Sequence, residues 1–151
     1  MQLKFPTYKF KTKSEQNTNY VFDIVRKKYV VLTPEEWVRQ HVLHYLTLDK
    51  NYPYSLLAVE RGLNVNGRKK RFDVLAFNKN GQPQLLIECK SPDIEINIAV
   101  FEQIAVYNSA FGVKQLLVTN GLQHIVVQYT ADFKEYTFLE DVPEWESDVL
   151  M

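Results

Sequence analysis

Arg71-Phe72-Asp73-Val74-Leu75-Ala76-Phe77 and Gln84-Leu85-Leu86-Ile87-Glu88-Cys89-Lys90, separated by Asn78-Lys79-Asn80-Gly81, form the stretch that decides the fold. Two β-rich apolar runs around an Asn/Gly turn predict an antiparallel hairpin, ended by Ser91-Pro92. A turn at 78–81 sets Asp73 opposite Ile87 or Glu88. Strand side chains alternate between faces, so Glu88 and Lys90 share one face and Ile87 and Cys89 the other. With Asp73 across from Glu88, two carboxylates and one ammonium meet among Val74, Leu75, Ala76, Leu85, Leu86 and Ile87. Charge is costly in such central strands and needs a reason.

A divalent cation is one reason. Two close carboxylates repel unless a proton or a cation lies between them. Mg²⁺, or Mn²⁺, takes oxygen ligands and keeps waters, and the Cys89 carbonyl between Glu88 and Lys90 would be a third protein ligand. Such a metal activates water and stabilises charge on a phosphoryl oxygen, and Lys90 would hold the water and stabilise the transition state. A structural salt bridge is the competing reading, because Glu-x-Lys alone is common.

Working outward, residues 1–19 read as a polar arm or an edge strand, and Tyr20–Leu32 as a β-hairpin. Thr33-Pro34-Glu35-Glu36 starts a helix with a Thr cap, a Pro in the first turn and two acids beside it; the helix runs to about Leu48. Leu56–Glu60 reads as a short strand and Gly62–Gly67 as a loop. A second helix is expected from Asn97 to Ala110. Strands at 115–119 and 124–129 join through Asn120-Gly121. The whole is a single domain with an arm (1–19), a core (20–130) and an acidic tail (131–151). Hairpin, helix, three strands, helix and two strands describe an α/β fold with a mixed sheet flanked by helices.

The net charge is zero, but residues 1–71 hold 14 Lys/Arg against 6 Asp/Glu and residues 72–151 hold 4 against 12. Either the halves pair with each other or the basic half meets a polyanion. Arg68-Lys69-Lys70-Arg71 leads into the Asp73 strand as a solvated loop or a phosphate contact. No apolar run spans a bilayer, no signal peptide is evident, and Cys89 is the only cysteine, so a cytoplasmic protein without a disulfide framework or thiolate cage is expected. His41 and His44 lack a nearby third ligand and read as packing or surface residues; Cys89 reads as a small buried residue. Gln103 and Tyr107, four apart, share a helix face that would otherwise be read as a helix rim.

Thr33-Pro34-Glu35-Glu36-Trp37-Val38-Arg39-Gln40, Arg71-Phe72-Asp73-Val74-Leu75, Leu86-Ile87-Glu88-Cys89-Lys90-Ser91-Pro92, Gln103-x-x-x-Tyr107 and Val118-Thr119-Asn120-Gly121 together resemble the PD-(D/E)xK nuclease superfamily. Within it they resemble the N-terminal nuclease domain of type I restriction enzyme R subunits. The likeness covers about residues 20–130. It implies a restriction-endonuclease-like fold, DNA as substrate, Asp73 and Glu88 as metal-binding residues, Lys90 as the catalytic lysine, and Glu36 (or Glu35) as the residue orienting metal or water. It also implies Gln103 and Tyr107 at the nucleic-acid backbone. Phe72 stands where the superfamily often has Pro.

R subunits carry motor domains, whereas no Walker motif occurs here, so ATP-driven translocation is not expected of this chain. A stand-alone protein or an excised fragment both fit, and Met1 with the acidic ending favours the first. Other restriction-modification subunits are expected partners, and duplex cleavage with one site per chain implies a dimer. A metal-dependent deoxyribonuclease is the leading reading; a non-catalytic nucleic-acid-binding or assembly module is the alternative. A Schiff-base role for Lys90 would want an apolar pocket rather than two carboxylates.

Overall fold

A computed structural model describes residues 2–145. A three-stranded antiparallel sheet comes first, ordered β1 (Thr12–Glu15), β2 (Thr18–Asp23), β3 (Lys28–Val31). The expected hairpin is β2–β3, and the arm contributes β1 as an edge strand. Residues 3–10 are not loose. Leu3 is buried, Lys4 N–H donates to the Gly121 carbonyl at 2.7 Å, and Phe5 and Phe10 lie against His41.

Helix α1 (Pro34–His44) starts as its sequence predicts, with Thr33 Oγ1 accepting from Glu36 N–H at 3.0 Å. It then widens into a π-helical turn, Tyr45–Asp49, closed by Lys50 N–H on the Tyr45 carbonyl. The main sheet has six strands in chain order: β4 (Leu57–Val65), β5 (Arg68–Phe77), β6 (Pro83–Cys89), β7 (Gln115–Thr119), β8 (His124–Tyr129) and β9 (Tyr136–Leu139). All neighbours are antiparallel except β6–β7, which are parallel and joined through α2 (Ile98–Ser109). This is the mixed α/β sheet that the patterning predicts.

Three expectations are corrected. Gly62–Gly67 is not a loop, because β4 continues to Val65 and turns at Asn66-Gly67, both at positive φ. The basic run Arg68–Arg71 is therefore strand rather than loop. The tail contributes β9, whose Tyr136, Thr137, Phe138 and Leu139 pair with β8; the rest of the proposed tail, from residue 146, lies outside the described residues.

Each face of the sheet buries its own core. Val74, Ala76, Leu85, Ile87, Cys89 and Leu117 pack under α1 residues Val38, Val42 and Leu43. Phe72, Leu75, Leu86, Leu116 and Val118 pack under α2 residues Phe101 and Ala105. Full burial of such a side chain contributes about 1.5–3 kcal/mol, which pins the register of the central strands. Gly121 shows why the β7–β8 turn needs glycine: φ is +88°, and a Cβ there would come within 2.9 Å of Leu3 Cδ2.

Candidate functional site

The hairpin register decides where the acids meet. Val74 pairs with Ile87 and Leu75 with Leu86, so the ladder, continued by one step, sets Asp73 across from Glu88. Of the two registers open to the sequence, this is the one that brings both carboxylates to the same level. The pleat, however, breaks at Asp73. Phe72 belongs to the α2-side core and Val74 to the α1-side core, although residues two apart on a regular strand share a side.

The neighbouring strand is irregular at the same level. β4 pairs Val59 with Val74 and Arg61 with Phe72, and between them stands Glu60 at φ +54°. A non-glycine residue enters this left-handed region at a cost of about 1–2 kcal/mol. Such local distortions re-aim side chains next to functional sites. Here Asp73 turns toward α1: its Oδ1 accepts from Arg39 Nη2 at 3.1 Å, and its Oδ2 accepts from Cys89 N–H at 2.7 Å.

Arg39, only 5% exposed, gathers further acids. Nη1 donates to Glu36 at 3.0 Å and to Glu60 at 3.2 Å, and Nη2 reaches Glu35 at 3.4 Å. Its buried Nε has no hydrogen-bond partner among the described residues. Glu36 is spent on both oxygens: Oε2 takes Gln40 Nε2 at 2.9 Å and Arg26 Nη2 at 3.2 Å, while Oε1 takes Arg39. Behind them Asp23, wholly buried, accepts from Arg26 and Gln40. Burial works against its charge, but the Arg26 backbone N–H, the Gln40 amide and the Arg26 guanidinium hold its carboxyl below the usual range. The turn of the N-terminal sheet is thereby tied to the middle of β5.

Glu88 is served from the opposite helix. Its Oε2 takes Lys70 Nζ at 2.6 Å and the amide of Asn108, a buried residue of α2. Lys70 lies over the rings of Phe72 and Tyr107, which shield the pair. Lys90 follows β6; its N–H donates to the Thr119 carbonyl at 2.8 Å, and its charge is felt by Glu35. The structure thus sets Asp73 and Glu88 level but does not join their tips: Asp73 is held from the α1 side and Glu88 from the α2 side. Their charges still interact. Burial pushes the Asp73 carboxyl above the usual range, Cys89 N–H and Arg39 oppose this, and the Glu88 charge pushes in the same direction as burial. Glu35 is raised by burial and by Asp73.

Among the described residues no three His, Cys, Asp or Glu side chains gather closely enough to hold a metal. Mg²⁺ does not require three, because two carboxylates, a carbonyl and waters complete its shell. The donors here are hard oxygens, and each carboxylate already stabilises a cation, Arg39 at Asp73 and Lys70 at Glu88. A divalent cation shared by the two would have to displace those partners and draw together carboxylates that are now held from opposite sides of the sheet.

Gln103 and Tyr107 share the exposed face of α2 and line an open groove of about 800 Å³ with Arg68. Arg68 stacks on the Tyr107 ring at 4.7 Å. In strand conformation the basic run divides: Arg68 and Lys70 turn to Tyr107, Arg71 lies 3.9 Å from Glu60, and Lys69 is exposed. Cys89 is buried and its thiol pushed well up by burial, so it is no nucleophile. His41 and His44 are packing residues, each with Nδ1 on the carbonyl four residues back. Arg39, Glu60 and Asn108 were not singled out by sequence reasoning. Arg39 carried a faint signal, Glu36 three residues before it on one helix face; Glu60 carried none.

No match was found among curated proteins or among solved structures. The family model described as type I restriction enzyme R protein N terminus matches residues 34–143. That span runs from the start of α1 past β9 and holds Glu36, Asp73, Glu88, Lys90, Gln103 and Tyr107. It leaves out the three-stranded sheet. With most of its length matched, the chain belongs to the family of type I restriction enzyme R protein N termini.

Proposed function

We propose that the chain is a divalent-metal-dependent deoxyribonuclease of the PD-(D/E)xK type. What supports the reading is Asp73 on β5 and Glu88 on β6, two adjacent central strands, with Lys90 directly after, in a chain of this family. Asp73, Glu88 and the Cys89 carbonyl would hold Mg²⁺ or Mn²⁺, which when bound supplies an activated water and charge stabilisation at phosphorus. Lys90 stabilises negative charge on the transferring phosphoryl group. Gln103 and Tyr107 place the backbone of the strand being cut, by hydrogen bonding and stacking. Arg68, Lys69 and Arg71 add sequence-independent affinity, and Lys70 holds Glu88. Glu36 works at one remove, fixing Arg39. DNA is the proposed partner, within a restriction-modification context.

A second reading has one observation in its favour. Arg39 and Lys70 already neutralise the two carboxylates, which suits a nucleic-acid-binding or assembly module that does not cut. Incubating the chain with supercoiled and linear DNA in Mg²⁺, Mn²⁺ or EDTA separates the two. The nuclease reading expects cleavage with metal only, none from Asp73→Ala or Glu88→Ala, and a rate lowered about 10²–10³-fold in Lys90→Ala with metal binding intact. Cleavage in EDTA or by Asp73→Ala overturns it.

A further inference from the structure

We infer that Arg39 is an internal counter-cation that a divalent metal must displace from Asp73, so that this one side chain sets the metal affinity of the site. The inference rests on the metal reading above and concerns how that site is kept before metal arrives.

Three observations carry it. First, the guanidinium divides its work. Nη1 is fixed on Glu36 and Glu60, and Nη2 is the arm that reaches Asp73, with half-exposed Glu35 beside it at 3.4 Å. Asp73 can be released by the Nη2 arm alone, while Nη1 keeps Arg39 anchored. Second, the buried Nε lacks a partner among the described residues. A buried unmet donor is unfavourable, so the present geometry is a compromise in which Asp73 draws the fork away from its best fit. Third, the charge is unbalanced. Glu35, Glu36, Glu60 and Asp73 face Arg39; Arg26 also contacts Glu36 and Glu60 and is shared with Asp23, and Arg71 also contacts Glu60. Five carboxylates against three guanidinium groups leave room for a dication without expelling an arginine.

Lys70 holds Glu88 differently. It is a single flexible ammonium, 23% exposed, and can exchange into water. The forked, buried Arg39 is therefore the stronger competitor.

The test measures Mn²⁺ binding by calorimetry and thermal unfolding in EDTA or Mg²⁺, with the full chain, Arg39→Gln and Arg39→Lys. Arg39→Gln should bind Mn²⁺ about tenfold tighter, the worth of one charged hydrogen bond removed from competition. It should unfold at a lower temperature in EDTA and regain more from Mg²⁺ than the unchanged chain. Arg39→Lys keeps the charge but cannot fork, so it should also bind more tightly, by a smaller factor; it carries the test if the Gln variant fails to fold. Mn²⁺ affinity equal to or weaker than that of the unchanged chain in the folded variants overturns the inference and leaves the metal reading standing. No Mn²⁺ binding by the unchanged chain overturns both.

Discussion

The two sides of the main sheet solve the same problem in opposite ways. On the α1 side, Asp73 enters a connected network of Arg39, Glu35, Glu36, Glu60, Arg26, Gln40 and Asp23, reaching back to the N-terminal sheet. On the α2 side, Glu88 has one lysine and one amide, covered by aromatic rings. A network shares each charge among several partners, so losing one member strands the others; an isolated pair loses only itself. The α1 side therefore holds geometry, and the α2 side can yield to a substrate.

The sharpest way to break this contrast is to make the same substitution on each side. Arg39→Met should destabilise the chain in EDTA by about 3–5 kcal/mol, because it leaves buried carboxylates unpaired. Lys70→Met leaves buried Glu88 with the Asn108 amide still donating to it, so it should cost less, about 1–3 kcal/mol. Urea unfolding measures both, and equal losses would erase the distinction. On the α2 side the expected effect is kinetic. Gln103→Ala and Tyr107→Phe should slow cleavage about tenfold through poorer placement of the scissile phosphate, with unfolding midpoints unchanged. Wild-type rates in both variants would make that face a helix rim.

The α1 side should also be the pH-sensitive one. His41 and His44 are held below the usual imidazole range, by burial first, although their backbone hydrogen bonds, and Asp23 in the case of His44, favour the charged form. They stay neutral in the folded chain while the unfolded chain takes up protons near pH 6.5. Their contribution is present above that pH and is lost as pH falls below it. The melting temperature should drop between about pH 7 and 5.5, and less so in His41→Phe. The smallest effect belongs to the basic strand: neutralising Arg68 and Lys69 together should lower the salt slope of DNA binding by about 2. An unchanged slope would make them solvated residues only.

How much of this could be read from the sequence follows from distance along the chain. The hairpin carrying Asp73 and Glu88 was legible because two apolar β-rich runs and the Asn/Gly turn between them are local signals. The start of α1 was legible from its cap. The α2 face was legible from four-residue spacing. Arg39 was not, because Asp73 lies 34 residues away and only folding brings them together. The β4–β5 turn was missed because Gly62 and Asn64 suggested a loop, and the charged residues around it are exposed on an extension of the sheet. β9 was hidden in an acidic stretch whose pairing with β8 is tertiary. The break at Asp73 left no trace, since the irregular backbone at Glu60 beside it belongs to another strand.

The backbone at Glu60 has a consequence for engineering. Glu60 occupies a backbone region that glycine enters freely, so Glu60→Gly should gain up to about 1 kcal/mol in folding stability from relief of φ. The same change deletes a carboxylate that anchors Arg39. Selection for heat resistance alone would then drift toward glycine at position 60 and loosen the aim of Asp73, while selection for cutting would retain the strained glutamate. One residue with no motif around it would thus couple folding stability to the aim of Asp73.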